Sequence, residues 1–216
     1  MSETNINNQK AFELYRKAAE LDNIVAQLDL ADMCIYGDGF GENHNKAFEL
    51  SKKLVARENP NGINRLGYCY DNGIGTDVNK EKAFELYQKA SDLGNLHGII
   101  NSGYCYVDGV GTDINKQKAF ELYQKAADLG NSHGLNDLGL CYDIGIGTDV
   151  NKQKAFELYQ KASNLGNYYA QYNIANMYKN GIGIEQNMDQ AIYWYKKSAK
   201  QGYQDAQNKL KELLKE

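Results

Sequence analysis

With 216 residues, a single proline and a net charge of −4, the chain lacks the basic face of a nucleic-acid binder. No apolar run approaches the roughly 18 residues that a membrane-crossing helix needs. The opening MSETNINNQK also lacks the basic and apolar regions of a secretory leader. These readings point to a cytoplasmic chain with no nucleic-acid and no membrane partner.

Along the chain, one pattern recurs. Ala-Phe-Glu-Leu-Tyr starts at Ala11 and returns at Ala47 (AFELS), Ala83, Ala119, Ala155 and Ala191 (AIYWY), each step being 36 residues. A fixed period of this length marks a solenoid, in which each repeat buries its apolar face against its neighbours. Residues 1–22 form an opening half repeat, with a helix from about Asn8 to Leu21. Full repeats follow at 23–58, 59–94, 95–130, 131–166 and 167–202, and 203–216 forms a charged C-terminal capping helix from about Gln204 to Leu214.

Within each repeat two helical stripes follow one another. In the unit Asn95–Gly130, Gly98, Ser102, Gly103 and Tyr106 share one face of a leading helix, and Ala119, Leu122, Tyr123, Ala126 and Leu129 share one face of a trailing helix. Asn23, Asn59, Asn95, Asn131 and Asn167 stand where the leading helices start. Asn7, Asn43, Asn79, Asn115, Asn151 and Asn187 stand where the trailing helices start. An Asn side chain there can accept an orphan N–H of the first turn, so all eleven read as N-caps. Gly37, Gly73, Gly109, Gly145 and Gly181 end the leading helices in a left-handed residue. Glu85–Lys89, Glu121–Lys125 and Glu157–Lys161 are i, i+4 pairs on the solvated side. Gly67, Gly103 and Gly139, with Ala31 and Ala175 in the same slot, let neighbouring helices approach closely.

Residues that could carry chemistry have plainer readings. Cys69, Cys105 and Cys141 alternate with Met33 and Met177 in one slot, as a modest apolar pocket permits. His97 and His133 share a slot with no metal-ligand spacing around them. The Gly-x-Gly-Thr-Asp turns lack the phosphate-loop consensus, and a helix stop accounts for both glycines. Every candidate nucleophile or base is repeated by register, whereas catalysis needs one convergent site. No catalytic residue, cofactor or metal is therefore expected, and the chain reads as a non-enzyme.

These residues resemble the Sel-1-like repeat family, relatives of the tetratricopeptide arrays. The last unit carries the pattern best, with Ala170, Ile174-Ala175, Tyr178, Gly181-Ile182-Gly183, Asn187, Ala191, Trp194-Tyr195, Ser198-Ala199 and Gly202. Departures are local: Leu86, Leu122 and Leu158 replace the usual Trp, Ser51 a Tyr, Cys34 a Tyr and Ser102 a Leu. Secreted members of the family carry intra-repeat disulfides that need a second Cys in each unit. That second Cys is missing here, so the thiols are expected to be free.

The resemblance implies an all-α fold, a right-handed αα superhelix of about five to six repeats whose leading helices line a concave groove. It implies a monomeric scaffold or adaptor that binds a protein or peptide, or alternatively the regulatory portion of a larger protein, such as one with a kinase-like domain. Carrying over the tetratricopeptide registration places Asp32, Tyr36, Asn64, Tyr68 and Asp71 in the groove, followed by His97, Tyr104 and Asp108. His133, Asn136, Asp143, Tyr169, Tyr172 and Asn176 continue the series, with Lys179, Asp205 and Glu212 beyond. The acidic members outnumber Lys179, so the expected ligand bears Lys or Arg.

Overall fold

The computed structural model describes the backbone of residues 3–37 and 43–214, with side chains from residue 9 onward in those ranges. Among these residues there are twelve α-helices and no strand, which makes the fold all-α. They form two compact units, Met1–Ile114 and Asn115–Glu216. The first holds α1 (Glu3–Glu20), α2 (Ile24–Tyr36), α3 (His44–Val55), α4 (Pro60–Asn72), α5 (Lys80–Asp92) and α6 (Leu96–Asp108). The second holds α7 (Lys116–Asp128), α8 (Ser132–Ile144), α9 (Lys152–Asn164), α10 (Tyr168–Asn180), α11 (Met188–Lys200) and α12 (Gln204–Leu213). Within each unit every helix packs on its neighbours in sequence. Even-numbered helices are the leading helices of the repeats and odd-numbered ones the trailing helices.

Asparagine sets where the helices begin. Asn95 Oδ1 accepts the amide of Gly98 at 2.7 Å, and Asn167 that of Ala170 at 2.9 Å. Asn79 and Asn151 do the same for Lys82 and Lys154, each at 2.9 Å. Each bond satisfies an N–H that the first turn leaves without an intrahelical partner. Asn7 departs from the pattern, because α1 is helical from Glu3 and its backbone runs straight through that position. Its side chain lies outside the described residues. Trailing helices α5, α7, α9 and α11 are each preceded by a turn that breaks the backbone; residues 3–6 are helical, so α1 continues backwards through Asn7.

Leading helices stop as expected. Gly109, at φ 70°, donates its amide to Cys105 O at 2.9 Å, and Gly145 repeats this with Cys141. The second glycine of each turn is also left-handed, at φ 66° in both Gly111 and Gly147, and it has a further cause that the sequence does not suggest. A Cβ on Gly111 would lie 2.1 Å from the Lys80 carbonyl oxygen, and one on Gly147 would lie 2.2 Å from that of Lys116. These glycines let each turn rest on the first turn of the preceding trailing helix.

The small-residue slot also needs refining. A Cβ on Gly67 or Gly139 would meet the ring of Tyr87 or Tyr159 at 2.8 Å, so the close neighbour is a side chain. Backbone comes close at another set: Gly98 would meet Ser91 N at 2.8 Å, and Gly134 would meet the Ala126 carbonyl carbon at 2.8 Å. On the solvated side, Glu121 and Glu157 accept from Gln117 and Gln153 rather than pairing with the lysines four residues on.

The remaining contacts bind successive repeats. Phe48 meets Tyr70 edge-on, and Phe84–Tyr106, Phe120–Tyr142 and Phe156–Tyr178 repeat the arrangement with ring centroids 5.1–5.5 Å apart. Cys34, Cys69, Cys105 and Cys141 are free and buried. Burial pushes the Cys105 thiol up to about 11 and that of Cys141 to about 12, which keeps both protonated and unreactive.

Candidate functional site

In the first unit the leading helices α2, α4 and α6 carry the predicted slots. Tyr36 ends α2 with 60% exposure, beside Tyr68 of α4. Partial burial, then Tyr68, raises its phenol above the usual range. Asp32 pairs with Arg65 across the same two helices, and burial of Arg65 lowers its pKa. Asn64 accepts the side-chain amide of Asn101 at 3.0 Å, tying α4 to α6.

Asp71 is the most engaged of the set. Lys80 donates to its carboxylate at 2.6 Å and to its carbonyl at 2.7 Å, and the Tyr87 hydroxyl donates to the other carboxylate oxygen at 3.4 Å. A cleft of about 300 Å³ opens beside this pair, lined by Tyr68, Tyr104, Cys105 and Asp108 among others. Tyr104, Asp108 and His97 are exposed.

In the second unit α8, α10 and α12 carry the slots. Lys152 holds Asp143 as Lys80 holds Asp71, with both bonds at 2.6 Å. His133 is exposed. Asn136, expected to face a ligand, is buried at 7% exposure. Its amide donates to Asp137 at 3.0 Å and its carbonyl accepts from Asn173 at 3.1 Å, so it is a structural bridge between α8 and α10. Asn176 likewise is taken up by the Tyr195 hydroxyl.

Tyr169 and Tyr172 of α10 meet Tyr203, just before α12, at centroid distances of 5.3 and 5.2 Å. Tyr168 joins them, 4.2 Å from Tyr169. Burial, followed by the bond it donates to Asp205, pushes the Tyr203 phenol up to about 12. Glu212 pairs with Lys209 at 2.7 Å. Lys179 is half-buried.

The structure therefore brings the predicted residues onto leading helices but divides them by role. Tyr36, Tyr104, Asp108, His97, His133 and Tyr169 are open to solvent, whereas Asp32, Asp71 and Asp143 already hold a cation of the chain. Sequence reasoning missed the column just before the Leu slot: Asp29, Arg65, Asn101, Asp137, Asn173 and Lys209. Arg65, Asn101 and Asn173 bond to residues of a neighbouring leading helix, and Asn136 of the same helix holds Asp137. The signal was available, since every member of that column is polar on an otherwise half-apolar helix. Among the described residues, no group of three His, Cys, Asp or Glu is placed to hold a metal ion.

The Sel1 repeat profile matches residues 4–23, 24–57, 60–95, 97–131, 132–167 and 169–203, and the chain belongs to the Sel1 repeat family. Sel1 repeats generally mediate protein–protein interaction, on a fold that is typically non-enzymatic. No curated protein matches the chain. Among solved structures, a Sel1 repeat protein from Oxalobacter formigenes is 27% identical with a TM-score of 0.80, covering 97% of this chain and 87% of that one. The protective antigen c5321 of uropathogenic Escherichia coli, described as displaying an SLR fold, is 30% identical with a TM-score of 0.73 over 94% of this chain. The match spans 43% of the length of c5321. A Sel1 repeat protein from Klebsiella pneumoniae subsp. pneumoniae is 25% identical with a TM-score of 0.62, covering 93% of this chain and 98% of that one. Among the described residues, no helix is long and apolar enough to cross a membrane.

Proposed function

We propose that the chain is a non-enzymatic, monomeric scaffold that holds a peptide or protein surface along its leading helices, in a concave groove. The repeats run from 23, 59, 95, 131 and 167, where the leading N-cap asparagines stand. One observation carries this reading. Tyr36, Tyr104 and Tyr169 are 60%, 46% and 40% exposed, and each occupies a leading-helix slot in a different repeat. Exposed Tyr among polar neighbours supplies large contact area at little conformational cost, the usual composition of an interface anchor.

Charge plays a smaller part than the sequence suggests. Asp32, Asp71 and Asp143 are held by Arg65, Lys80 and Lys152. Preference for a Lys- or Arg-bearing ligand then rests on Asp108 and Asp205, both exposed. Free, buried thiols support a cytoplasmic setting.

Affinity capture with the full chain, followed by mass spectrometry, identifies the partner. The triple variant Tyr36→Ala, Tyr104→Ala, Tyr169→Ala is expected to lose at least about tenfold in affinity while keeping its helical signal. Asp108→Asn is expected to weaken association mainly at low salt. Undiminished binding by the folded triple variant would refute the proposal.

A further inference from the structure

The joint between α10 and α12 departs from a rule kept at earlier repeats. Asn95 and Asn167 cap α6 and α10 and also reach back to the preceding repeat. There Asn95 donates to Asn61 at 2.7 Å, and Asn167 donates to the Ser132 carbonyl at 3.2 Å. Ahead of α12 the same slot holds Tyr203, which makes no side-chain cap bond. Its ring instead meets Tyr168, Tyr169 and Tyr172 of α10, at centroid distances of 5.5, 5.3 and 5.2 Å. One repeat earlier the positions matching these four tyrosines are Asn167, Ser132, His133 and Asn136, all polar. A polar joint has become a cluster of phenols, and a helix cap has been given up for it.

The outer side of this cluster is open for a reason internal to the repeat. Tyr169 and Asp205 occupy one slot of successive leading helices, and that slot is exposed in all six, at Val25, Asn61, His97, His133, Tyr169 and Asp205. His133 is exposed although α9 and α10 follow it, so stacking further repeats leaves the slot on the surface. The Tyr203 hydroxyl donates to Asp205 Oδ2 at 2.9 Å, which fixes a carboxylate at the rim of the rings. Elsewhere the chain sets its own cation over such rings. Lys82 stands 5.2 Å from the centroid of Tyr70, Lys154 4.9 Å from that of Tyr142, and Lys197 5.0 Å from that of Trp194. Among the described residues, no cation stands so over Tyr168, Tyr169 or Tyr203.

We propose that Tyr169, Tyr203 and Asp205 form a receptor for an arginine side chain of the bound protein or peptide. This rests on the leading helices being the binding face, and it names what that face recognises in the second unit. A guanidinium is planar and weakly hydrated, so it lies flat on a phenol ring while donating in its own plane to a carboxylate beside it. Asp205 Oδ1 accepts no bond among the described residues and is available to that donor. An ammonium keeps its water more firmly and cannot stack, so lysine fits less well. Tyr168, 4.2 Å from Tyr169, and Tyr172, 5.2 Å from Tyr203, support the two rings from behind.

The probe is the capped peptide acetyl-Gly-Arg-Gly-amide, compared at constant ionic strength with its lysine and citrulline analogues. Titrated to about 20 mM against the isotope-labelled full chain, the arginine peptide is expected to shift amides around Tyr169, Tyr203 and Asp205, with a Kd on the order of 5 mM. Its Hδ protons are expected to move upfield in the ring current of the tyrosines. Citrulline keeps the shape without the charge and is expected to bind at least about fivefold more weakly, and lysine about threefold more weakly. Tyr203→Asn restores the capping residue of the other leading helices, so it keeps the fold, and it is expected to abolish the saturable shifts. Asp205→Asn is expected to weaken binding about threefold. No saturable shift, shifts confined to the first unit, equal binding of the citrulline or lysine peptide, or unchanged binding by Tyr203→Asn would overturn the proposal. In each of those cases a captured partner that still depends on Tyr36 and Tyr104 would leave the scaffold function standing, so the two failures are told apart.

Discussion

Helix α8 makes two joints, one to α7 of the preceding repeat and one to α9 of its own, and they are built differently. Toward α7, a Cβ on Gly134 would meet Ala126 Cβ at 2.5 Å, its carbonyl carbon at 2.8 Å and Ala127 N at 2.9 Å. Toward α9, the three atoms nearest a Cβ on Gly139 would all belong to the Tyr159 ring, at 2.8, 2.9 and 3.4 Å. The turn after α8 reinforces the first joint, with Gly147 set against the backbone of Lys116. Backbone cannot move aside without disturbing a helix, whereas a ring can turn or slide. The spacing between repeats is thus fixed rigidly, and the closure of a hairpin retains some adjustment.

Substitution by alanine separates the joints in order of size. Gly147→Ala combines φ 66° with a carbonyl oxygen 2.2 Å from the new methyl, and is expected to cost about 4 kcal/mol. Gly134→Ala keeps helical geometry, so its overpacking cost is partly offset by the better helix propensity of Ala; the net loss is about 2 kcal/mol. Gly139→Ala meets a ring that can shift, and the expected loss is about 1 kcal/mol or less. Urea denaturation followed by circular dichroism ranks the three. A larger loss at Gly139 than at Gly134 would break the comparison.

Removing a cap is expected to cost less than either substitution at the joint between repeats, Gly147→Ala or Gly134→Ala. Asn151→Ala takes away the acceptor of Lys154 N at 2.9 Å, with an expected loss of about 1 kcal/mol in the same measurement. A cost above that of Gly134→Ala would mean that helix initiation, not spacing, limits the stability of the repeat.

Much of this arrangement was legible in the sequence, because capping and helix termination are local. Asn151 and Gly145 do their work on backbone within four residues, so their identity and spacing sufficed. The second glycine of the turn is legible only in part, because beside its left-handed φ it has a second cause about 31 residues upstream, at Lys116 for Gly147. The candidate surface was legible only in part for the same reason. Periodicity places Tyr36, Tyr104 and Tyr169 on leading helices, but it does not show that Lys80 and Lys152 reach back nine residues to take up Asp71 and Asp143. Asn136 is buried because its partners, Asp137 and Asn173, belong to the polar column one residue away, which the groove registration does not use.

The smallest expected effect at neutral pH concerns the adjustable joint and appears only in alkali. Burial first, then the charges of Asp143, Asp137 and the neighbouring Cys141, raises the Tyr159 phenol well above its ordinary value. The folded chain holds this hydroxyl neutral, whereas in the unfolded chain it ionises near its reference pKa of about 10. A raised folded pKa contributes stability that is fully present below about pH 10 and is lost as pH climbs above it, because the unfolded state releases its proton first. Tyr87 and Tyr195 are shifted in the same direction, mainly by burial, so the trailing tyrosines act together. Phenolate absorbance during an alkaline titration is expected to show exposed tyrosines ionising smoothly and this group ionising only as helicity collapses. Tyr159→Phe keeps the ring under Gly139 and removes the proton, so it should change stability by less than about 1 kcal/mol at neutral pH and move the alkaline collapse to higher pH. The joint between α7 and α8 has glycine against Ala126 and the backbone of Ala127, with no titrating side chain among its closest atoms. If Tyr159→Phe left the alkaline midpoint unmoved, the hairpin joint would not be the point at which high pH opens the repeat.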